Sequence, residues 1–293
     1  MSLRPKTFDG IIGQESVKEC LKIAIKSAKE RSDVLNHVLF LGPTGTGKTT
    51  LALATAHETD SKIYLANGGN IKGLKDVLPY LSRLSRGDIL FIDEIHRVNT
   101  RVQESLFTVL EDYRLDMSKG ALSLNFEPFT LIGATTEAGM LLRPFYDRFI
   151  HQFTLEQYNI PDLSSIIHIN CSKLKVSINK DALTNLASRS RFTPRIANSL
   201  LQWCRDYALS VKSTNLTEEI VNSAMKLKKI DKKGLDTTDK QYIMVLKRAG
   251  KPMGLNTIVA STGLSKETVE CQVEPFLLKL NMIEKTHKGR VLC

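Results

Sequence analysis

The stretch Gly42-Pro43-Thr44-Gly45-Thr46-Gly47-Lys48-Thr49 constrains this chain more than any other part of it. It satisfies G-x-x-x-x-G-K-[ST] in full, and it lies between an apolar run, Val38-Leu39-Phe40-Leu41, and a helical stretch from about Thr49 to His57. Glycines at those spacings let successive backbone N–H groups turn inward around a chain of phosphates. The helix that follows adds the positive end of its dipole. Gly42, Pro43, Gly45, Thr46 and Gly47 are therefore expected to line a nucleotide, with Thr50 just behind them. Lys48 is placed to reach the β- and γ-phosphates, and the Thr49 hydroxyl to hold Mg2+. The expected ligands are ATP and Mg2+.

The rest of the first half repeats the strand–helix alternation. Residues 14–30 space Val17, Leu21, Ala24, Ile25 and Ala28 as one helical face, with lysines on the other. Short apolar runs follow at Ile63–Leu65, Ile89–Ile92 and Phe129–Ala134, without the alternation of a half-exposed strand. The class expected is α/β, a parallel sheet covered on both faces. The run Ile89-Leu90-Phe91-Ile92 ends in Asp93-Glu94, 45 residues after Lys48. A carboxylate there can orient Mg2+ and its waters (Asp93), and its neighbour can polarise an attacking water (Glu94). Those two residues turn a nucleotide-binding reading into a hydrolytic one.

Three further polar groupings stand at element ends. Thr130–Thr136 closes an apolar run in hydroxyls, with Thr136 last. Arg143-Pro144-Phe145-Tyr146-Asp147-Arg148-Phe149 offers two arginines, and residue pattern alone does not choose between them or a surface ion pair. In Arg191-Phe192-Thr193-Pro194-Arg195, a Thr cap and Pro194 put Arg195 in the first turn of a helix. A cation is disfavoured there by the macrodipole, which points to an anionic ligand.

Beyond about residue 155 the strand runs stop, and residues 160–230 read as consecutive helices. The Lys-rich stretch Lys226–Asp239 marks a boundary. Helical patterns at Gly254–Ala260 and Ser265–Leu280 then precede two short strands within Met282–Leu292, the outline of a winged helix. The net charge of +10 is concentrated toward this end: +1 over residues 1–154, +3 over 155–210 and +6 over 211–293. A polyanionic partner touching the C-terminal part is the expectation. Five cysteines without a Cys-x-x-Cys pair argue against zinc or a disulfide framework. No apolar run approaches the roughly 18 residues of a membrane span, and the first residues lack a signal-peptide core. No membrane association and a cytoplasmic location are expected.

Taken in order, Gly42–Thr49, Asp93-Glu94-Ile95-His96-Arg97, Gly133-Ala134-Thr135-Thr136, Asp147-Arg148-Phe149 and Thr193-Pro194-Arg195-Ile196-Ala197-Asn198 resemble the RuvB family of Holliday-junction branch-migration AAA+ ATPases. Arg4-Pro5-Lys6, Ile12-Gly13-Gln14, Glu111-Asp112-Tyr113, Gly234-Leu235-Asp236 and Glu274-Pro275-Phe276-Leu277 extend the resemblance over nearly the whole chain. It implies an AAA+ ATPase domain at residues 1–155, a helical lid at 156–230 and a winged-helix DNA-binding domain at 231–293. It further implies a homo-hexameric ring that binds ATP at subunit boundaries and works on double-stranded DNA and four-way junctions. On this resemblance Thr136 is the first sensor, Arg148 a finger acting in trans and Arg195, beside Pro194, the sensor on the lid. Ile11 and Ile12 pack near the adenine, and Lys288 and Arg290 meet DNA phosphate.

The chain departs from the family at Tyr146, where an arginine is usual, and at Asp116–Phe126. There a longer hairpin normally docks a RuvA-like partner; the segment here offers less apolar surface for one. Two other readings share the P-loop. A clamp-loader subunit would carry Ser-Arg-Cys at its finger and end in a helical collar. A nucleotide-dependent DNA-binding switch would have no use for Glu94.

Overall fold

The inner strands of one parallel sheet are short apolar runs that are stable only with both faces covered, and two less buried strands flank them. The computed structural model describes residues 3–117 and 122–293. These fall into two compact units, residues 1–162 with 193–195, and residues 163–192 with 196–293. In the first unit the elements are α1 (Glu15–Glu30), β1 (Val38–Leu41), α2 (Lys48–Glu58), β2 (Ile63–Asn67), α3 (Leu74–Leu81), β3 (Ile89–Asp93), α4 (Thr100–Asp112), β4 (Arg114–Met117), β5 (Leu122–Asn125), β6 (Thr130–Thr135), α5 (Arg143–Asp147) and β7 (His151–Thr154). The sheet order is β2-β3-β6-β1-β7, all neighbours parallel. The edge strand β7 has no counterpart in the sequence expectations, since only two of its four residues are even partly buried.

Strand residues sort onto the two faces by parity. Leu39, Leu90, Ile92 and Leu131 pack with α3, α4 and Phe145 on one side. Val38, Phe40, Ile89, Phe91, Ile132 and Ala134 pack with α1 and α2 on the other. Gly133 in β6 allows Ile95 to close over the sheet, because a methyl there would stand 3.0 Å from the Ile95 side chain. At the N-terminal edge, buried His37 accepts a hydrogen bond from the Leu131 N–H through Nδ1 (3.0 Å) and lies 3.3 Å from the Leu110 carbonyl through Nε2. Burial holds its pKa down at about 4. It is therefore a neutral tie between β6 and α4, not a titrating group of the site.

Strands β4 and β5 form an antiparallel hairpin, Arg114↔Asn125 to Met117↔Leu122, stiffened by hydrogen bonds among Arg114, Asp116 and Ser123. The arms match the short hairpin expected over Asp116–Phe126; residues 118–121 lie outside the described residues.

The second unit holds most of α6 (Ile160–Leu174), then β8 (Ser177–Ile178), α7 (Lys180–Ser188), α8 (Pro194–Ser210), β9 (Asn215–Leu216) and α9 (Glu218–Leu227). Strands β8 and β9 pair in parallel, which corrects the expectation of helices alone. A two-residue bridge leaves no periodicity to read. Next come α10 (Thr237–Ala249), α11 (Leu255–Thr262) and α12 (Lys266–Thr268), which continues through a π-helical turn, Val269–Val273, into α13 (Glu274–Lys279). The antiparallel ribbon β10 (Ile283–Thr286) and β11 (Gly289–Leu292) closes the chain as expected. Tyr242, Leu246, Ile258, Val269, Phe276, Leu277 and Ile283 form its core.

Candidate nucleotide site and the C-terminal ribbon

The loop between β1 and α2 takes its shape from three left-handed glycines, Gly42 (φ 132°), Gly45 (φ 86°) and Gly47 (φ 109°). At Gly42 a side chain is excluded by its neighbours as well as by φ, and at Gly45 it would be crowded. A Cβ on Gly42 would stand 2.6 Å from the Leu155 carbonyl oxygen, and one on Gly45 would stand 3.1 Å from Arg195 Cβ. The buried Thr46 hydroxyl donates to the Pro43 carbonyl (2.8 Å) and braces the turn. Thr50 is half-buried in the first turn of α2.

Lys48 is 8% exposed, and its ammonium donates to the carbonyls of Gly42 (2.6 Å) and Pro43 (2.9 Å). Burial pushes its pKa down to about 8; Asp93 pulls it back up and Arg195 pushes it further down. Neutral carbonyls are its only hydrogen-bond acceptors among the described residues, and Asp93 and Glu94 act on it through space without a direct ion pair, so the ammonium can take an anionic ligand. Thr49 Oγ1 lies 3.3 Å from Asp93 Oδ2, bringing together the two residues assigned to the metal. Glu94 follows in a left-handed turn (φ 50°), and Gly68 makes room for its backbone. Its carboxylate pairs with Arg97 at 3.1 Å, both side chains being about half exposed, a contact of little energy.

Arg195 sits against Gly45 and is exposed, while Pro194 is half-buried at the start of α8. The expected Thr cap is corrected here: the Thr193 hydroxyl is buried and makes no hydrogen bond among the described residues. Thr193 is packed against Gly45 instead, its Oγ1 3.5 Å from the place of a Cβ there. An orphaned hydroxyl, an ammonium held by neutral carbonyls and an exposed guanidinium around one glycine-rich turn fit a phosphate ligand, and the Thr49–Asp93 pair fits a hard cation such as Mg2+.

Ile11 is buried and Ile12 half-buried at the mouth of α1. Their turn is held by groups that sequence reasoning passed over. Lys18, itself buried, donates to the Ile11 carbonyl at 2.6 Å. Gln14 donates to the Glu156 carbonyl (2.8 Å) and accepts from the Glu156 N–H (3.3 Å). Tyr158 is buried beside both loops: a Cβ on Gly13 would be 3.0 Å from its ring, and one on Gly47 3.8 Å from its hydroxyl. Burial raises the Tyr158 pKa to about 12, so it stays a phenol. An isolated tyrosine after a run of strand residues gives no signal in sequence.

Thr136 is exposed beyond the end of β6. Its neighbour Thr135 is 1% exposed, accepts from the Glu137 N–H and shares a 2.9 Å hydrogen bond with His96 Nδ1. Arg148 is held by Glu111 at 2.7 Å and lies over the Phe107 ring at 4.5 Å.

At the ribbon, Lys288 is exposed in the β10–β11 turn. Arg290 is not free in that way. Its guanidinium donates to both oxygens of fully buried Glu274 (2.8 and 3.3 Å). Lys285 (2.6 Å) and the Tyr242 hydroxyl (3.0 Å) complete the set. Burial pushes the Glu274 carboxyl up, but the hydrogen bonds from Arg290, Lys285 and Tyr242 outweigh it and hold the group below the ordinary range.

Among the described residues no helix is long and apolar enough to cross a membrane, and no three metal-ligating side chains cluster. Family profiles match the chain end to end: the Holliday junction DNA helicase RuvB P-loop domain over residues 3–155, the RuvB AAA lid domain over 158–231 and the RuvB C-terminal winged helix domain over 232–293. Relatives named Holliday junction branch migration complex subunit RuvB are 42% identical in Rhodopirellula baltica and 43% in Campylobacter jejuni, each covering 99% of this chain and 82% and 89% of their own length. The solved structure of the Thermotoga maritima RuvB Holliday junction branch migration motor superimposes with a TM-score of 0.90 at 39% identity, over 99% of this chain and 95% of that one. This chain belongs to the RuvB family of P-loop AAA+ ATPases.

Proposed function

We propose that this chain is the ATP-hydrolysing motor subunit that drives branch migration of Holliday junctions. The observation that carries the reading is the gathering of Lys48, Thr49, Asp93 and Arg195 on one glycine-rich turn, in a chain that ends in a winged helix. A reading as clamp loader or passive switch finds no comparable support. Three domains, 1–155, 156–230 and 231–293, are the division we adopt.

In this account the loop N–H groups and Lys48 bind the β- and γ-phosphates of ATP, and Ile11, Ile12 and Pro194 flank the base with Tyr158. Mg2+ would be held by Thr49 and, through water, by Asp93, and would neutralise charge on the phosphates. Glu94 accepts the proton of the water that attacks the γ-phosphorus, and the bond to the bridging oxygen breaks to leave ADP and phosphate. For that, Glu94 exchanges Arg97 for the water. We assign the polar strand end to Thr135 with Thr136: the hydroxyl of Thr135 is already braced by His96, leaving exposed Thr136 to meet phosphate or water. Arg195 senses the nucleotide from the start of α8.

Arg148 acts on a neighbouring copy. It precedes β7 by three residues, and β7 pairs with β1 in parallel from Val38↔His151. Its field also reaches His37, at the N-terminal edge of the sheet. The P-loop follows the C-terminal end of β1, about 13 Å of strand away. A finger on that edge has to serve a second chain, which supports a ring, and we adopt the homo-hexamer. Lys288 contacts DNA phosphate at the ribbon; Arg290, which shares the Glu274 carboxylate with Lys285, holds the ribbon in place. A RuvA-like partner on four-way junctions would meet the short β4–β5 hairpin, which offers it less apolar surface than the family's longer one. The setting is cytoplasmic.

The test is ATP-dependent dissociation of a synthetic four-way junction, with and without a RuvA-type protein. Wild type is expected to dissociate it and Glu94→Gln to bind ATP without doing so. Duplex-stimulated hydrolysis with no junction movement in either arm would defeat the branch-migration reading.

A further inference from the structure

Just before Thr193-Pro194-Arg195, two consecutive residues with side chains, Arg191 (φ 50°) and Phe192 (φ 58°), adopt the left-handed conformation. L residues do so in succession only where their surroundings hold them. Here the surroundings belong to the winged helix. Arg191 Nη1 lies 3.2 Å from Asp236 Oδ2, and Nη2 lies 3.0 Å from Asp239 Oδ1 and donates to the Gln272 carbonyl at 3.0 Å. The guanidinium stacks on Phe276 at 4.2 Å, and the Phe192 ring meets the same Phe276. Asp236 and Asp239 are also the reciprocal cap of α10, so the carboxylates are pre-set by the helix they start. Asp239 is fully buried.

The same α13 that carries Phe276 begins with Glu274, which holds Arg290 and Lys285 of the ribbon. A continuous set of packed and charge-paired contacts thus runs from the ribbon through Glu274 and Phe276 to Arg191, and the chain itself leads on to Arg195. Stability alone does not account for this clamp. A buried carboxylate and a guanidinium cost much to desolvate, and apolar side chains would hold two helices as well. What the fork supplies is a fixed direction for the segment it grips.

We propose that Arg191 is the positioning residue through which the winged helix sets the segment leading to Arg195, so that duplex DNA at the ribbon changes the affinity of the P-loop for ATP. The proposal rests on the reading of Arg195 as the nucleotide sensor. Coupling of this kind is reciprocal: DNA changes nucleotide affinity by the same factor as nucleotide changes DNA affinity, typically ~5–150-fold.

The experiment measures both affinities on the full chain, using a non-hydrolysable ATP analogue and a short duplex, each with and without the other. In wild type the two factors are expected to be equal and greater than one. In Arg191→Gln both are expected to collapse toward one. Arg191→Lys, which keeps the charge and loses the fork and the stacking, should fall between. If thermal melting shows Arg191→Gln to be unfolded, Phe276→Leu takes its place, removing the ring beneath the guanidinium while keeping apolar volume. A folded variant that keeps the full wild-type factor overturns the proposal, as does a wild type in which duplex and analogue bind independently. Arg195→Ala separates the two claims. If it leaves analogue affinity and hydrolysis unchanged, the sensor reading fails. If it abolishes hydrolysis while Arg191→Gln keeps the coupling, only the proposal fails.

Discussion

Lys48 at the P-loop and Arg290 at the ribbon are both basic, both largely withdrawn from water, and both expected from the sequence to meet phosphate. Their surroundings differ in one respect. Lys48 is held by two neutral carbonyls, and burial lowers its pKa to about 8. Arg290 is held by a buried carboxylate, and that hydrogen bond raises its pKa. A cation gripped directly by a buried carboxylate serves the fold; one whose hydrogen-bond acceptors are all neutral keeps more of its charge for a ligand. The comparison teaches that burial does not separate the two roles and that the counter-charge does.

The largest effect that sharpens this contrast is expected at Lys48. Lys48→Ala should lower ATP turnover by roughly 10²–10³-fold, the scale of losing a charge stabiliser at a phosphoryl transfer, with little change in melting temperature. An equally large loss of stability would mean that the lysine is structural after all. Arg290→Ala should do the reverse. It leaves Glu274 with Lys285 and Tyr242 only, at a cost of about 1.5–3 kcal/mol read from denaturant unfolding of the second unit, and nucleotide hydrolysis without DNA should persist.

Acid should divide the two units. His37 titrates near 6.5 when unfolded and at about 4 when folded. Its contribution, about 3 kcal/mol, is whole above pH 6.5 and is lost as the pH falls toward 4. In the second unit, burial raises Asp239 to about 6. The folded state therefore binds a proton there first, and the Asp239 contribution grows as the pH falls from 6 toward 3.8, while Glu274, whose pKa is lowered, loses its contribution only at more acid pH. Acid unfolding followed by separate probes of the two units should show the P-loop unit failing first, and His37→Asn should narrow the gap. The smallest effect belongs to Lys288→Ala: a stability change within about 0.5 kcal/mol, with weaker duplex binding and a salt slope shallower by about one.

Much of this was legible in the sequence where chemistry and local order coincide. The P-loop carries its glycines within six residues of one another, and β3 announces itself as an apolar run that ends in Asp93-Glu94. What could not be read depends on partners far along the chain. Nothing near Arg290 reveals Glu274, 16 residues earlier, and nothing near Arg191 reveals Asp236, 45 residues on. Thr135 and Thr136 could not be told apart because every residue of β6 is buried, which removes the alternation that would have assigned their directions. The Thr193 cap failed for a related reason: a hydroxyl at a helix start is usually a cap, but this one is packed against Gly45, a contact set by the P-loop and not by α8.

If ATP is hydrolysed at a site completed by a second chain, mixing two disabled subunits restores hydrolysis. Lys48→Ala lacks a working P-loop but carries an intact Arg148; Arg148→Ala has the opposite defect. Each alone should hydrolyse ATP poorly. Mixed rings contain interfaces where an intact P-loop meets an intact finger, so ATPase activity should reappear on mixing and depend on the ratio of the two. Co-assembled rings no more active than either parent would contradict the account.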